Sequence, residues 1–196
     1  MIPKWYFDAV TIYRARRITR YFANWMAQGE TVLDCGCGSM LIAEMLSQQY
    51  GLKAFGADLI QLSQKNSHFC MCSGERLAFR KDSFDNVCLI FALHHMSDPL
   101  AAIRECLRVT KKRLIILEDV YKNSFELQLL KFFDYHGNRV ISLDMRLPFN
   151  FKTERMWKTI FGSLHLRLVA MESIRPNQWR PTRHRLFILE KDGRQL

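Results

Sequence analysis

No apolar run in the 196 residues reaches the roughly 18–20 that a bilayer-spanning helix needs. The opening stretch, MIPKWYFDAVTIYRARR, lacks the charged head, apolar middle and small-residue cleavage site of a secretory signal, so a cytoplasmic location is expected. Repeats, low-complexity tracts and linker-like stretches are missing too. One domain over 1–196 is therefore expected, at the usual roughly 100–200 residues per domain. Acidic residues are in short supply: 19 of them face 29 lysines and arginines, for a formal charge of +10. That excess says nothing of fold. It is compatible with an anionic small molecule, an anionic membrane surface or nucleic acid, and equally with a solvated basic surface.

Cysteine is present, but not as a framework. Cys35 and Cys37 flank a glycine, Cys70 and Cys72 form a second Cys-x-Cys pair, and Cys88 and Cys106 stand alone. The C-x2–4-C spacing usual for structural zinc is absent, and the pattern is not that of a small secreted disulfide fold. Reduced thiols and no metal site are expected.

What the chain does have is alternation. Phe7–Met26 reads as an amphipathic helix, with Val10, Tyr13, Ile18, Tyr21, Phe22 and Trp25 on an apolar face and Arg14, Arg16, Arg17 and Arg20 on a basic one. Short strands at Thr31–Asp34, Lys53–Ala57 and His68–Cys72 then alternate with a helix at Leu41–Gln49 and a helical turn at Gln61–Lys65. Asn86–Phe91 (NVCLIF) and Arg113–Leu117 (RLIIL) are apolar runs of the kind buried on both faces of a sheet. Between them Pro99–Arg108 is a helix, with Pro99 suited to its first turn. Helices follow at Phe125–Phe133 and Thr153–Phe161, the latter with Thr153 as N-cap. Arg167–Ser173 and His184–Glu190 close the chain as an antiparallel hairpin across Arg175–Pro181. Strands alternating with helices imply a parallel sheet with right-handed crossovers.

The strongest local signal is VLDCGCGSM, Val32–Met40. A strand ends at Asp34, and Gly36 and Gly38 then let the backbone turn tightly and come close to a ligand at a helix N-terminus. The second is Asp58, which ends KAFGAD about 20 residues on and can accept both ribose hydroxyls of an adenosine-containing ligand. A nicotinamide dehydrogenase would want G-x-G-x-x-G, which this loop lacks.

VLDCGCGS, then AFGADL, then LAFRKDSFDNVCLIFALHHMSDPLAAIRECLRV and RLIILED resemble the class I methyltransferases that use S-adenosylmethionine, closest to the group of small-molecule and quinone methyltransferases. The likeness runs in register from about Thr31 to Asp119. It implies an α/β, Rossmann-like sheet of seven strands, mostly parallel, with helices on both faces and an antiparallel last strand. It implies S-adenosylmethionine as cofactor and S-adenosylhomocysteine as product. Asp34, Gly36 and Gly38 would line the methionine end and Asp58 would hold the ribose. Leu59 would pack on the adenine, Ser73 and Gly74 would meet its edge, and Ala92 would offer backbone contacts. Residues 1–28 would cover the cofactor, with Arg14 and Arg17 in reach of its carboxylate. Two positions depart from the pattern: Met40 stands where a third glycine is common, and Ser73 where an acid is. Losing the latter's hydrogen bond costs roughly 0.5–1.5 kcal/mol.

The acceptor side reads ALHHMSDP. It has neither the D/N-P-P-Y/F sequence of amine methyltransferases nor the Pro-Cys of a cytosine C5 nucleophile, which favours oxygen or carbon of a small acceptor, acidic or lipid-associated. Adjacent His94 and His95 cannot both point one way from an extended segment. His95 is the preferred base and His94 the structural partner. Residues 120–152 would cover the pocket, with Tyr121, Asp134, Asn138, Asn150 and Phe151 lining it. The run NQWRPTRHR, with Trp179, Arg180, Arg183 and Arg185, suits a lipid head group or RNA phosphates. An RNA methyltransferase and a non-catalytic relative of the fold remain the alternatives.

Overall fold

The two apolar runs become the middle of a sheet. In a computed structural model, which describes residues 4–62, 68–141, 147–174 and 182–191, seven strands are ordered β3-β2-β1-β4-β5-β7-β6. They are β1 (Thr31–Cys35), β2 (Lys53–Asp58), β3 (Phe69–Met71), β4 (Phe84–Ile90), β5 (Thr110–Val120), β6 (Leu166–Ile174) and β7 (Arg183–Lys191). The first five pair in parallel, and β7 runs antiparallel between β5 and β6. This is the implied Rossmann-like sheet, seven strands, mostly parallel, with the last antiparallel.

Strand residues alternate between two cores, because successive side chains leave a strand on opposite faces. Leu33, Val87, Leu89, Leu114, Ile116, Phe187 and Leu189 enter one core, joined by Ala102, Ile103 and Cys106 of α3 (Pro99–Val109) and Trp157 and Phe161 of α5 (Glu154–Ser163). Val32, Cys88, Ile115, Leu117, Leu186 and Ile188 enter the other, with Ile18 and Phe22 of α1 (Lys4–Phe22) and Ala43 and Leu46 of α2 (Leu41–Tyr50). Helices thus cover both faces. The remaining helix, α4 (Ser124–Ile141), contributes to neither core among the described residues, and it leaves Phe125, Phe132 and Tyr135 exposed.

Several boundaries differ from the sequence reading. The first helix stops at Phe22 and tightens to a 3-10 turn through Trp25, so Met26 lies outside it. Strand β5 begins at Thr110, directly after α3, since a strand can follow once the last helical turn is closed by the Thr110 N–H. Helix α4 runs on to Ile141 through Gly137, a residue that costs a helix about 1 kcal/mol relative to alanine. Gln61 and Leu62 are not helical, and 63–67 lie outside the described residues, as does the hairpin turn 175–181. Thr153 caps α5 as expected, its hydroxyl accepting from the Met156 N–H at 3.2 Å.

Met40 shows how the fold accommodates its departure from the glycine pattern. Its φ of 67° is left-handed, a conformation that disfavours any residue with a Cβ. The side chain is fully buried over Gly56 of β2, where a Cβ would come within 1.9 Å of the Met40 sulfur. A missing glycine at 40 is offset by one present at 56.

Candidate active site

The C-terminal tips of β1, β2, β4 and β5 open into one cavity of about 1050 Å³, at the edge where ligands bind in open α/β sheets. One half is built on the glycine loop. Gly36 (φ 79°) donates its N–H to the Ala57 carbonyl at 2.7 Å, and a Cβ on it would stand 2.6 Å from that of Ala92. Gly38 (φ 51°) faces open space, so a ligand can approach its backbone. Asp58 is held in place by two amides: Oδ2 accepts from the Gly38 N–H at 2.8 Å and Oδ1 from Ile60 at 3.2 Å. Leu59, 61% exposed, lines the wall beside it with Ile60 and Leu62. A glycine cradle, a poised carboxylate and an adjoining apolar wall fit an adenosyl cofactor.

Ser73, Gly74 and Ala92 also line the cavity. The Ser73 hydroxyl is occupied by the Glu75 N–H at 3.1 Å. Glu75, two residues from the expected acid, reaches the wall but spends Oε1 on the Ser97 and Asp98 amides. Asp34 lies behind the loop rather than on the wall: it is 2% exposed and its Oδ1 has no hydrogen-bond partner. Burial, with the Asp58 carboxylate nearby, lifts its pKa from 3.8 to about 7. The folded protein therefore holds a proton there that the unfolded chain gives up. Stability is expected to fall as pH rises from about 4 to about 7. Thermal melts of Asp34→Asn across that window should lack this slope, with the variant gaining on the wild type at the alkaline end; parallel curves would contradict it.

Arg17 is turned away from the cavity, against Tyr13, its Nη1 3.4 Å from the phenol oxygen. Arg14, one turn back, is on the wall, its guanidinium 4.6 Å from the Phe91 ring centroid. Thr11, Ala15 and Ile18 join it, so α1 supplies part of the cavity wall.

The other half gathers three histidines and three carboxylates. After β4, Phe91 takes a positive φ of 54° and turns the chain into a 3-10 turn, Leu93–His95. Glu118, fully buried near the tip of β5, accepts from the Leu93 N–H at 2.7 Å and lies 2.6 Å from His94 Nδ1. His94 Nε2 faces Asp134 Oδ1 of α4 at 3.4 Å, and His95 Nε2 faces the same oxygen at 3.6 Å. Burial pushes the His94 pKa down, but the charges of Glu118 and Asp134 outweigh it and raise the value to about 10. His94 is thus protonated at neutral pH and cannot accept a proton. His95 is more open, with 21% of its side chain exposed.

Asn138 fastens Asp134, its Nδ2 2.6 Å from Oδ1. Asn150 and Phe151 brace the turn from behind rather than line the cavity: the Asn150 N–H donates to the His94 carbonyl, its Nδ2 to that of Met96, and Phe151 stacks on His94 at 4.6 Å. Tyr121 is not on the wall. Residues that sequence reasoning missed are Asp119 and His184, paired at 2.5 Å on adjacent strands, and Phe91, Leu130 and Phe133. Burial would raise the Asp119 pKa, but His184, His94 and Arg14 together hold it below the usual range. Two signals were available. Asp119 stands one residue from the end of its strand, much as Asp58 ends its own, and His184 is the buried residue between Arg183 and Arg185.

Those two arginines are engaged at the surface, Arg183 with Glu126, and Arg185 with Glu154 and Ser173. Trp179 and Arg180 lie outside the described residues. The six cysteines are free thiols and form no metal-ligand group among the described residues. No helix of the described residues is long and apolar enough to cross a membrane.

Residues 33–116 match a family model described as "Methyltransferase domain". Among curated proteins, ubiquinone biosynthesis O-methyltransferase from Pseudomonas fluorescens (strain SBW25) is 31% identical over 45% of this chain and 45% of its own length. The chain thus spans less than half the length of the curated relatives it matches. Among solved structures, magnesium protoporphyrin IX methyltransferase from Synechocystis PCC 6803, with bound S-adenosylhomocysteine, superposes at a TM-score of 0.65 with 16% identity, covering 98% of this chain and 89% of that one. An S-adenosylmethionine-dependent methyltransferase from Methanosarcina mazei gives 0.65 with 18% identity, covering 87% and 96%. From the glycine loop to the fifth strand, the chain thus matches the methyltransferase domain, and it has the fold of S-adenosylmethionine-dependent methyltransferases of known structure.

Proposed function

We propose that the protein methylates an oxygen of a small, hydroxyl-bearing acceptor, using S-adenosylmethionine. The observation that carries this reading is the continuity of one cavity from the Gly38–Asp58 half to the His95–Asp134 half, which brings a cofactor cradle and a proton acceptor into a single space. S-adenosylmethionine supplies a methyl group already activated on a sulfonium. The chain's own task is then to align the acceptor with it, exclude water and take a proton. Alignment of this kind is worth up to about 7–11 kcal/mol. Asp58 and the loop amides fix one partner. His95, backed by Asp134, accepts the hydroxyl proton of the other, while α1 and α4 shut out solvent. The likeness to ubiquinone biosynthesis O-methyltransferases favours oxygen over carbon.

An acidic acceptor is less well supported than a neutral one. Glu118, Asp119 and Asp134 gather around this half, against the charges of Arg14 and His94. RNA is disfavoured by the engagement of Arg183 and Arg185 with acidic partners. A non-catalytic role is disfavoured by Met40, which packs into the core and leaves the cofactor side open. Exposed Phe125, Phe132 and Tyr135 on α4 favour contact with an apolar surface beside the acceptor half, as a lipid-associated acceptor would require.

The test is calorimetric titration with S-adenosylhomocysteine, followed by transfer of labelled methyl to a panel of phenols and catechols. Binding with labelled ether product is expected. A folded protein that binds the nucleoside and labels only carbon or nitrogen would overturn the choice of oxygen.

A further inference from the structure

The two distances from Asp134 to the histidines are too long for good hydrogen bonds, which cluster at about 2.7–3.2 Å between heavy atoms. They suit an ion pair, and equally an ion held among the three side chains. Ligand atoms held about 2.1 Å from a tetrahedral ion stand about 3.4 Å from one another. Asp134 Oδ1 lies 3.4 Å from His94 Nε2 and 3.6 Å from His95 Nε2, and one ligand atom from each of the three residues falls within 4.8 Å of the others. We propose that His94, His95 and Asp134 form a binding site for a divalent transition-metal ion of zinc-like preference, open on its remaining side to the acceptor cavity.

The surroundings are built as such a site requires. A metal-binding histidine usually presents one ring nitrogen to the ion and gives the other to a carboxylate, which fixes its tautomer and orientation. Glu118 serves His94 in this way, being held itself by the Leu93 N–H, and the ion would displace the proton that His94 Nε2 otherwise presents to Asp134. The Asn138 amide steadies Asp134. A hydrogen-bonded cluster without an ion accounts for the Glu118–His94 pair. It leaves Asp134 Oδ2 buried with no hydrogen-bond partner, which a carboxylate gripping the ion with both oxygens would satisfy. Two imidazoles and a carboxylate favour zinc or a neighbouring transition ion over magnesium or calcium, which take oxygen donors. Three protein ligands leave a position open, as in catalytic rather than structural sites.

The role of the ion rests on the methyl-transfer reading; its binding does not. An acceptor hydroxyl in the open position would ionise more readily, its O–H bond breaking to give an ion-bound oxyanion and a proton released to solvent. His95 would then hold the ion instead of taking the proton. Because Asp134 belongs to α4 and the histidines to the turn after β4, the ion would also tie that helix to the sheet.

The experiment titrates chelator-treated protein with Co²⁺, followed by its visible absorption, with Zn²⁺ in competition and S-adenosylhomocysteine binding measured on each sample. One Co²⁺ per chain is expected, displaced by Zn²⁺. Affinity should fall at least about 100-fold in both His95→Ala and Asp134→Asn, and about 10-fold in Glu118→Gln. S-adenosylhomocysteine binding should be unchanged in all three, which shows that they are folded. Equal Co²⁺ binding by the wild type and the His95→Ala and Asp134→Asn variants, or none by the wild type, overturns the site while leaving methyl transfer standing. Co²⁺ binding without nucleoside binding upholds the site and removes the methyl-transfer role.

Discussion

Replacing His95 with alanine is expected to lower kcat about 10²–10⁴-fold, the usual contribution of a positioned acid or base, while leaving cofactor affinity within about twofold. The expectation comes from the difference between two neighbouring imidazoles. His94 is enclosed by Glu118, Asp134 and Phe151, and its raised pKa keeps it charged. Its replacement would leave the buried Glu118 without its cation, so lost activity there would report lost folding. His95 shares Asp134 with it but keeps a face toward the cavity. Steady-state kinetics on the acceptor found by methyl labelling, with nucleoside binding as the folding control, separates the two cases. An unchanged kcat in His95→Ala would remove the residue from the chemistry, as proton acceptor and as ligand alike.

Asp58→Ala should weaken S-adenosylhomocysteine binding by about 10–100-fold, the value of losing one charge-assisted hydrogen bond of about 1.5–3 kcal/mol. Each Asp58 oxygen already accepts a backbone N–H and has a further lone pair to offer a ribose hydroxyl. Alanine removes both the ligand contact and the strut under Gly38. Asp58→Asn keeps most of the shape and loses the charge, so a titration of both variants divides the loss between the two causes. Wild-type affinity in both would show that the ligand lies elsewhere in the cavity.

The cofactor half was legible because it is local. A strand tip, a two-glycine turn and a second strand tip about 20 residues on are fixed by short-range geometry, and the parallel register places Asp34 beside Gly56 and Cys35 beside Ala57. The acceptor half was not, because its members are joined only by the fold. Glu118 and His94 are separated by 24 positions and Asp119 and His184 by 65, and nothing in either segment's pattern announces the other. Arg14 and Arg17 were expected alike, and only Arg14 reaches the wall, because periodicity shows which residues are basic, not which way the helix is turned against the sheet. Asn150 and Phe151 were expected on the cavity wall and stand instead behind the turn that carries the histidines.

The position of α4 outside both cores has a consequence for descent. Substitutions in the sheet or in α2 must answer to a packed interior. Those at Leu130, Phe133 or Gly137 answer mainly to whatever molecule occupies the cavity. A lineage carrying this domain can reshape one half of the cavity by drift along a single helix, with the glycine loop inherited unaltered.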